Sequence, residues 1–373
     1  MHNLSFRFVR FVFVGLWATL LVACGSTPAQ EGSPLHHATL LSLQSTDQYS
    51  LAVIRNPWDT VAVLHRYVLV PRDQALPDSL PSGTLLRTPL RRCALLSSVH
   101  ASLALRLKAD SCIAGLCDTN YVVSPTLLAH DFRSYGSSMQ PNVERMMADN
   151  VDALFVSPFE NSGYGSIAQL GVPLIECADY METSPLGRAE WMRFFGLLWG
   201  CSERADSLFA EEERAYESLR TLVASHKMSK PRLLIDRKEG ATWYVPGGDS
   251  YLSRLYADAG ASYLFSHLKG AGSLALNLET VLLKAAQADI WVVKYGASTP
   301  LTLDALRREQ SAYESLPVLQ SGRVYGCNTF KTPYYEDLPF SPSLLLKEWV
   351  KLLHPHLLPE VKNQYYTPLL SEP

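Results

Sequence analysis

After position 23 the sequence has no hydrophobic run long enough to cross a membrane; a spanning helix takes about 20 apolar residues. Basic residues are not in surplus, with 33 Lys and Arg against 36 Asp and Glu and a formal charge of −3. Nothing is left over for a phosphate-tracking surface, which excludes nucleic acid from the expected partners. Glycine and proline, 21 and 23 of 373 residues, are too few for a collagen-like chain, and 47% hydrophobic residues are too many for a disordered one. Catalytic signatures are missing too: there is no HExxH, Walker A loop, CxxC or GxSxG elbow. Two loose GxGxxA matches, from Gly163 and from Gly270, lie outside the first strand-to-helix turn of their halves. They read as loop punctuation, and no cofactor is expected. His36-His37 and the pair His354 and His356 sit near the ends of the chain; they read as surface residues, and no metal site is expected.

What is present begins with a targeting segment. Arg7 and Arg10 precede an apolar run from Phe11 to Ala23, which ends in Leu21-Val22-Ala23-Cys24-Gly25. That ending looks like a lipobox, in which Cys24 is acylated and becomes the new N-terminus. The expected segments are 1–23 signal peptide, 24–50 lipidated tether, 51–200 N-terminal lobe, 201–230 inter-lobe helix and 231–373 C-terminal lobe. Removal of the signal segment would leave 31 basic against 36 acidic residues, anchored to a membrane through lipid alone. Either membrane of an envelope would serve. Six cysteines remain, namely Cys93, Cys112, Cys117, Cys177, Cys201 and Cys327. Disulfides are possible in an exported chain, yet no framework spacing is visible, and buried free thiols are the preferred reading.

Residues 51–92 read as a β-meander. From Arg92 onward short apolar strands alternate with helices, the mark of an α/β fold. Strands are expected at 93–97, 112–117, 153–157 and 173–177, then at 232–236, 242–245, 290–294 and 323–327. Between these halves residues 202–227 contain no Gly or Pro and carry an apolar stripe interrupted at Glu212. A helix of that length predicts a strut joining two lobes. A faint repeat supports two lobes built alike. Asn142-Val-Glu144 leads to Asp152 and a buried strand, and Asn277-Leu-Glu279 leads to Asp289 and another. Each Asn can cap its helix and each Glu suits the first turn.

Candidate ligand contacts collect at carboxyl ends of predicted strands, where open α/β sheets hold their ligands. In the first half these are Ser97, Ser98, His100, Asp118, Tyr121, Phe159, Glu160, Tyr164, Asp179, Tyr180 and Glu182; in the second they are Trp243, Tyr244, Tyr295, Phe330, Tyr334 and Tyr335. The mixture suits a large, flat, partly apolar ligand held by stacking and a few directional hydrogen bonds. Arg188, against the dipole preference in the first turn of its helix, reads either as a partner for Glu182 or as an anion contact.

Pro141-Asn-Val-Glu-Arg145 through Val156, the Cys93 to His100 segment and the turn Pro246-Gly-Gly-Asp-Ser250 resemble the substrate-binding proteins of ABC importers. The subgroup is the one carrying iron–siderophore complexes, haem and cobalamin. The stretch from Glu176 to Trp191 resembles a hallmark of one lipoprotein branch of it. The resemblance spans roughly Arg92 to His354. It implies two Rossmann-like lobes joined by one long helix, and a ligand between them. It also implies an acidic residue at each lobe tip that pairs with the permease. By position these are Glu160 and Asp249, the latter one methylene shorter than the family's usual Glu.

The expected protein is therefore a monomeric, lipid-anchored receptor without enzymatic activity. It would capture an iron chelate or cobalamin and deliver it to a permease and its ATPase subunits. Its ligand contacts are expected at His100, Tyr121, Tyr164, Tyr180, Arg188, Trp243, Tyr244 and Tyr335. The alternative is an extracytoplasmic enzyme, a chelatase or hydrolase, on the same two-lobed frame.

Overall fold

The computed structural model describes residues 35–59, 61–160 and 163–372. The signal segment, Cys24 and the small-residue stretch after it lie outside these residues. Four strands open the described chain: β1 (Leu41–Ser45), β2 (Ser50–Arg55), β3 (Val63–Pro71) and β4 (Thr84–Thr88), in that order across one sheet. The first three alternate in direction, whereas β4 runs parallel to β3. Residues 72–83 supply the dozen or so residues that a parallel return needs.

One boundary moves. The tether was expected to reach residue 50, but β1 lies within that range, and the chain before it is already fastened. Glu190, fully buried, accepts the backbone N–H groups of His36, His37 and Ala38 at 2.8–2.9 Å. Glu182 accepts those of Thr39 and Leu40, together with the Thr39 hydroxyl and the Trp191 indole N–H. Two buried carboxylates and a run of amides satisfy one another, so this strap packs where composition alone suggested a tether.

The first lobe follows as β5 (Cys93–Leu95), α1 (Ser98–Arg106), β6 (Ile113–Leu116), α2 (Pro125–Leu128) and β7 (Arg133–Ser134). A small ladder, β8 (Gly136–Ser137) with β9 (Gln140–Pro141), leads to α3 (Val143–Ala148), β10 (Ala153–Val156) and β11 (Leu174–Glu176). Its all-parallel sheet has the order β11-β10-β5-β6-β7. Three helices lie between the two sheets in sequence, α4 (Pro185–Glu190), α5 (Met192–Trp199) and the long α6 (Ser202–Ser225), and α6 joins the lobes. At 1.5 Å per residue α6 spans roughly 36 Å. The second lobe contains β12 (Arg232–Ile235), β13 (Lys238–Glu239), β14 (Thr242–Pro246), α7 (Tyr251–Asp258), β15 (Ser262–Tyr263), β16 (Ser273–Leu276), α8 (Leu278–Ala285) and β17 (Ile290–Tyr295). It ends with α9 (Leu303–Glu309), α10 (Pro317–Gln320), β18 (Val324–Asn328), α11 (Tyr334–Asp337), α12 (Pro342–Leu353) and β19 (Thr367–Pro368). Its main sheet runs β15-β12-β17-β18-β19, parallel except for the last pair, while β13, β14 and β16 form a separate antiparallel sheet.

Each lobe is thus Rossmann-like, and each sheet reverses its winding at one point. In the first lobe that point lies between β5 and β10, and in the second between β12 and β17. The internal repeat is real in three dimensions. Asn142 caps α3 through the Arg145 N–H, and Asn277 caps α8 through the Thr280 N–H. Asp152 accepts the Arg91 and Arg92 amides beside β5, and Asp289 accepts the Arg232 amide that opens β12. Each Asp therefore ties its own strand to the neighbouring strand of the sheet.

The stripe on α6 buries Ala205, Phe209, Tyr216 and Val223. Glu212, its polar interruption, accepts from Arg106 of α1 at 2.8 Å and from the Ser343 hydroxyl of α12 at 2.6 Å. That one carboxylate bonds both lobes to the strut. The six cysteines of the described residues are free; Cys93, Cys117, Cys177 and Cys327 are buried, as preferred from the sequence, whereas Cys112 and Cys201 are half-buried. No helix among the described residues is long and apolar enough to cross a membrane.

Candidate functional site

A cavity of about 640 Å³ opens between the lobes, at the carboxyl ends of both sheets. A second hollow of about 390 Å³ adjoins it, sharing Val99, Phe159 and Tyr335. Both sit at the winding reversals just described, where loops on the two sides of the crevice diverge and leave room for a ligand. A larger hollow of about 940 Å³ lies elsewhere, between the N-terminal sheet and the start of α6. Its wall mixes charges of both signs, among them Arg72, Asp73, Glu203 and Arg204, and no strand of either lobe points its carboxyl end there.

The deepest polar element of the cleft is a buried triad. Asp179 is 1% exposed and accepts from His100 Nε2 at 3.0 Å and from Arg188 Nε at 3.1 Å. Burial alone would raise the Asp179 pKa, but the charges and hydrogen bonds of His100 and Arg188 outweigh it and bring the carboxyl below its usual range. Arg188 then reaches across the lobe boundary, donating from Nη1 to the Tyr251 hydroxyl at 3.2 Å, and its guanidinium borders the cavity. The sequence left it between a Glu182 partnership and an anion contact. Glu182 is occupied by the strap, so Arg188 pairs with Asp179 instead.

Opposite, the second lobe presents Lys294 at the end of β17 and Asp236 just after β12. Asp236 has a left-handed backbone (φ 58°), and its Oδ1 accepts the Lys294 N–H at 3.1 Å. The Lys294 ammonium lies 5.6 Å from the Tyr334 ring centroid. Burial opposes its charge, but the carboxylate of Asp236 more than compensates and holds Lys294 protonated. Sequence reading missed Lys294, Asp236 and Tyr251. The signal was available, because the first two flank the winding reversal of the second sheet.

Of the expected contacts, Tyr180, Arg188, Tyr244 and Tyr335 line the main cavity and Tyr121 lines its neighbour. Tyr180 donates its hydroxyl to the Pro158 carbonyl, which sets the ring at the wall. Three expected contacts are corrected. His100 is buried between Phe195 and Phe340, and serves Asp179 without lining the cavity. Trp243 is completely buried, stacked on Trp291, with its indole N–H bonded to the Ile235 carbonyl. Strand alternation is the reason: on β14 Trp243 turns into the core and Tyr244 turns to the cleft. Tyr164 donates to Glu176 Oε1 at 2.8 Å, away from the cavity lining. Of the docking candidates, Glu160 is exposed at the cavity rim. Asp249 is exposed, accepts the Gly270 N–H at 2.9 Å and lies 3.6 Å from Lys269 Nζ.

No group of three or more His, Cys, Asp or Glu side chains among the described residues could hold a metal ion. What the cleft offers is two cations, one from each lobe, among tyrosine hydroxyls and exposed ring faces. Each cation has a carboxylate beside it, Asp179 for Arg188 and Asp236 for Lys294.

Known proteins share this frame. An uncharacterized lipoprotein of Methanocaldococcus jannaschii is 24% identical over 301 residues, 76% of this chain and 69% of that protein. The structure of a periplasmic heme binding protein from Pseudomonas aeruginosa superposes with a TM-score of 0.56 at 17% identity, covering 76% of this chain and 99% of its own. That of the molybdate periplasmic binding protein MolA of Haemophilus influenzae superposes with a TM-score of 0.57 at 16% identity, covering 75% and 94%. The sequence profile described as "Periplasmic binding protein" matches residues 118–329, more than half of the chain, which therefore belongs to the periplasmic binding protein family.

Proposed function

We propose that this chain is the lipid-anchored solute receptor of an ABC importer, and that its cargo is an anionic metal chelate. The observation that carries the reading is the convergence of Arg188 and Lys294, from opposite lobes, on one cavity of about 640 Å³ with aromatic walls. Closure on a ligand that both cations touch would bring the lobes together, and the Arg188–Tyr251 bond already marks that path. A ferric siderophore or haem offers carboxylate or catecholate oxygens to such a pair. Cobalamin, neutral overall, would use neither cation, and the burial of Trp243 removes one of the aromatic faces expected to serve it. Cys24 would carry the anchor, and Glu160 and Asp249 would meet the permease.

The test is calorimetric titration of the chain with haemin, a ferric tris-catecholate, a ferric hydroxamate and cyanocobalamin. Saturable 1:1 binding of one of the anionic chelates at or below micromolar concentration, weakened in Lys294→Gln, is expected. Tightest binding by cyanocobalamin, indifferent to that substitution, would overturn the choice of cargo.

A further inference from the structure

Resting on the reading of the cleft as the cargo site, we propose that it has a third wall, which neither lobe supplies. Trp58, on the turn between β2 and β3 of the N-terminal sheet, would contact the cargo through its ring face. The cargo would then present a flat, π-bearing surface beside its anionic group.

Trp58 lines the same cavity as Arg188 and Lys294. It belongs to the four-stranded N-terminal sheet, which is separate from the five-stranded sheets of the two lobes, so the side chain comes from outside the two sheets that frame the cleft. Hydrogen bonds hold the backbone on either side of Trp58. Asn56 Oδ1 accepts the Trp58 N–H at 2.9 Å, the Asn56 N–H donates to the Ala62 carbonyl at 3.0 Å, and the Ala62 N–H donates to the Asp59 carbonyl at 2.9 Å. Pro57 between them restricts the backbone further. The sheet is mounted firmly on the first lobe. The Tyr67 hydroxyl of β3 donates to the Leu174 carbonyl at 2.7 Å and accepts the Glu176 N–H at 2.9 Å, and Arg72 pairs with Asp152 at 3.1 Å.

The other tryptophans sharpen the contrast. Trp191, Trp199, Trp243, Trp291 and Trp349 are each 4% exposed or less and pack into the two cores. Trp58 is the one described tryptophan left partly open, and it opens onto the cavity. Tyr180 and exposed Phe159 line the cavity from the first lobe, and half-exposed Tyr244 from the second. An indole added to that set favours a ligand with a large planar face over a compact oxyanion, which the two cations alone would also accept. The turn thus separates cargo classes that the family frame leaves together.

The test compares the full chain with Trp58→Ala, Trp58→Phe and Lys294→Gln, titrated calorimetrically with haemin and with a ferric tris-catecholate. Thermal unfolding would confirm that each variant folds. For the probe that binds, Trp58→Ala is expected to weaken affinity at least about ten-fold, and Trp58→Phe, which keeps a ring, about three-fold or less. Equal affinity of Trp58→Ala and the parent, with Lys294→Gln impaired, would overturn the third wall and leave the cleft reading standing. Indifference to all three substitutions, or no binding of either probe by the parent, would overturn the cleft reading and the wall with it.

Discussion

Two clusters of buried charge lie within a few residues of each other on α4 and the turn before it, yet they are finished differently. Glu182 and Glu190 have their carboxylate oxygens taken up by backbone amides of the strap, an indole and a hydroxyl. Arg188, between them in sequence, shares one carboxylate with His100 and then faces an open cavity toward Lys294 of the other lobe. A buried charge surrounded by fixed donors stabilises one structure. A charge left facing a hollow keeps capacity for something that is not part of the chain. The same short segment therefore builds a permanent joint on one side and half of the proposed binding site on the other.

The sharpest way to break that comparison is at the joint. Glu190→Ala would leave the amides of His36, His37 and Ala38 without their acceptor, and while exposed His36 can turn to water, half-buried His37 and Ala38 are less able to. At about 1–3 kcal/mol for each of the two half-buried groups, the loss should come to about 2–6 kcal/mol. It would be read as a lowered thermal midpoint, with cargo affinity nearly unchanged. Glu190→Gln keeps one acceptor oxygen and should lose roughly half as much. A large fall in affinity without loss of stability would assign the strap to the site.

Next in size is Asp179→Asn, which touches both clusters' logic. It leaves Arg188 without its carboxylate partner, and breaking a buried pair costs about 3–5 kcal/mol. The pH dependence has a defined sign. Asp179 ordinarily titrates at 3.8 and is lowered in the fold. Its contribution is therefore complete above about pH 4 and fades as pH falls through the lowered value. Urea unfolding between pH 3 and pH 7 should show a steeper acid loss in the parent than in the variant. Parallel curves would deny Asp179 its ionised role.

How much of this was legible follows from the range over which each feature is determined. The eight strands expected in the two lobes and α6 were readable to within a few residues, because apolar runs and the lack of Gly and Pro are local properties; β16 and the two-residue β7, β13, β15 and β19 were not among them. The capped repeat was readable too, since Asn142 and Asn277 sit a fixed distance from the strands they introduce. The strap was not, because Glu182 and Glu190 bind amides more than 140 positions away and a polar N-terminal stretch looks like a tether. Trp243 and Tyr244 show the same limit at the site. Their neighbourhood was right, but which of two adjacent rings faces the cleft depends on the pleat and on the sheet packed behind it. Lys294 was passed over as the polar end of a buried strand, and only the strand order brings it to the switch point.

A smaller effect, and one of opposite kind, is expected at the cavity. Lys294→Met combined with Asp236→Asn removes the buried pair as a unit, so neither partner is left charged and alone. Stability should change by less than about 1 kcal/mol, since replacing a buried ion pair by uncharged residues of similar volume is often neutral. Affinity for an anionic chelate should fall about 10- to 100-fold, the worth of a charge-assisted hydrogen bond. Joint and site would then be separated experimentally, one variant losing fold and the other losing ligand.

The smallest effect concerns the charges that touch neither. Glu160 and Asp249 are both exposed, so each is worth little to the fold. Asp249 is already engaged by Lys269 and the Gly270 amide, and its carboxylate would have to exchange those contacts for a permease cation. Glu160→Gln and Asp249→Asn should therefore leave both thermal midpoint and cargo affinity where they are. They should slow delivery of labelled chelate in vesicles carrying the permease, more at low ionic strength than at high, because exposed charges act mainly on encounter and orientation. The effect of Asp249→Asn should be tempered by the contacts to Lys269 and Gly270 that Asp249 must give up before docking. An equal and salt-independent defect in both would point to distorted lobes rather than a lost docking charge.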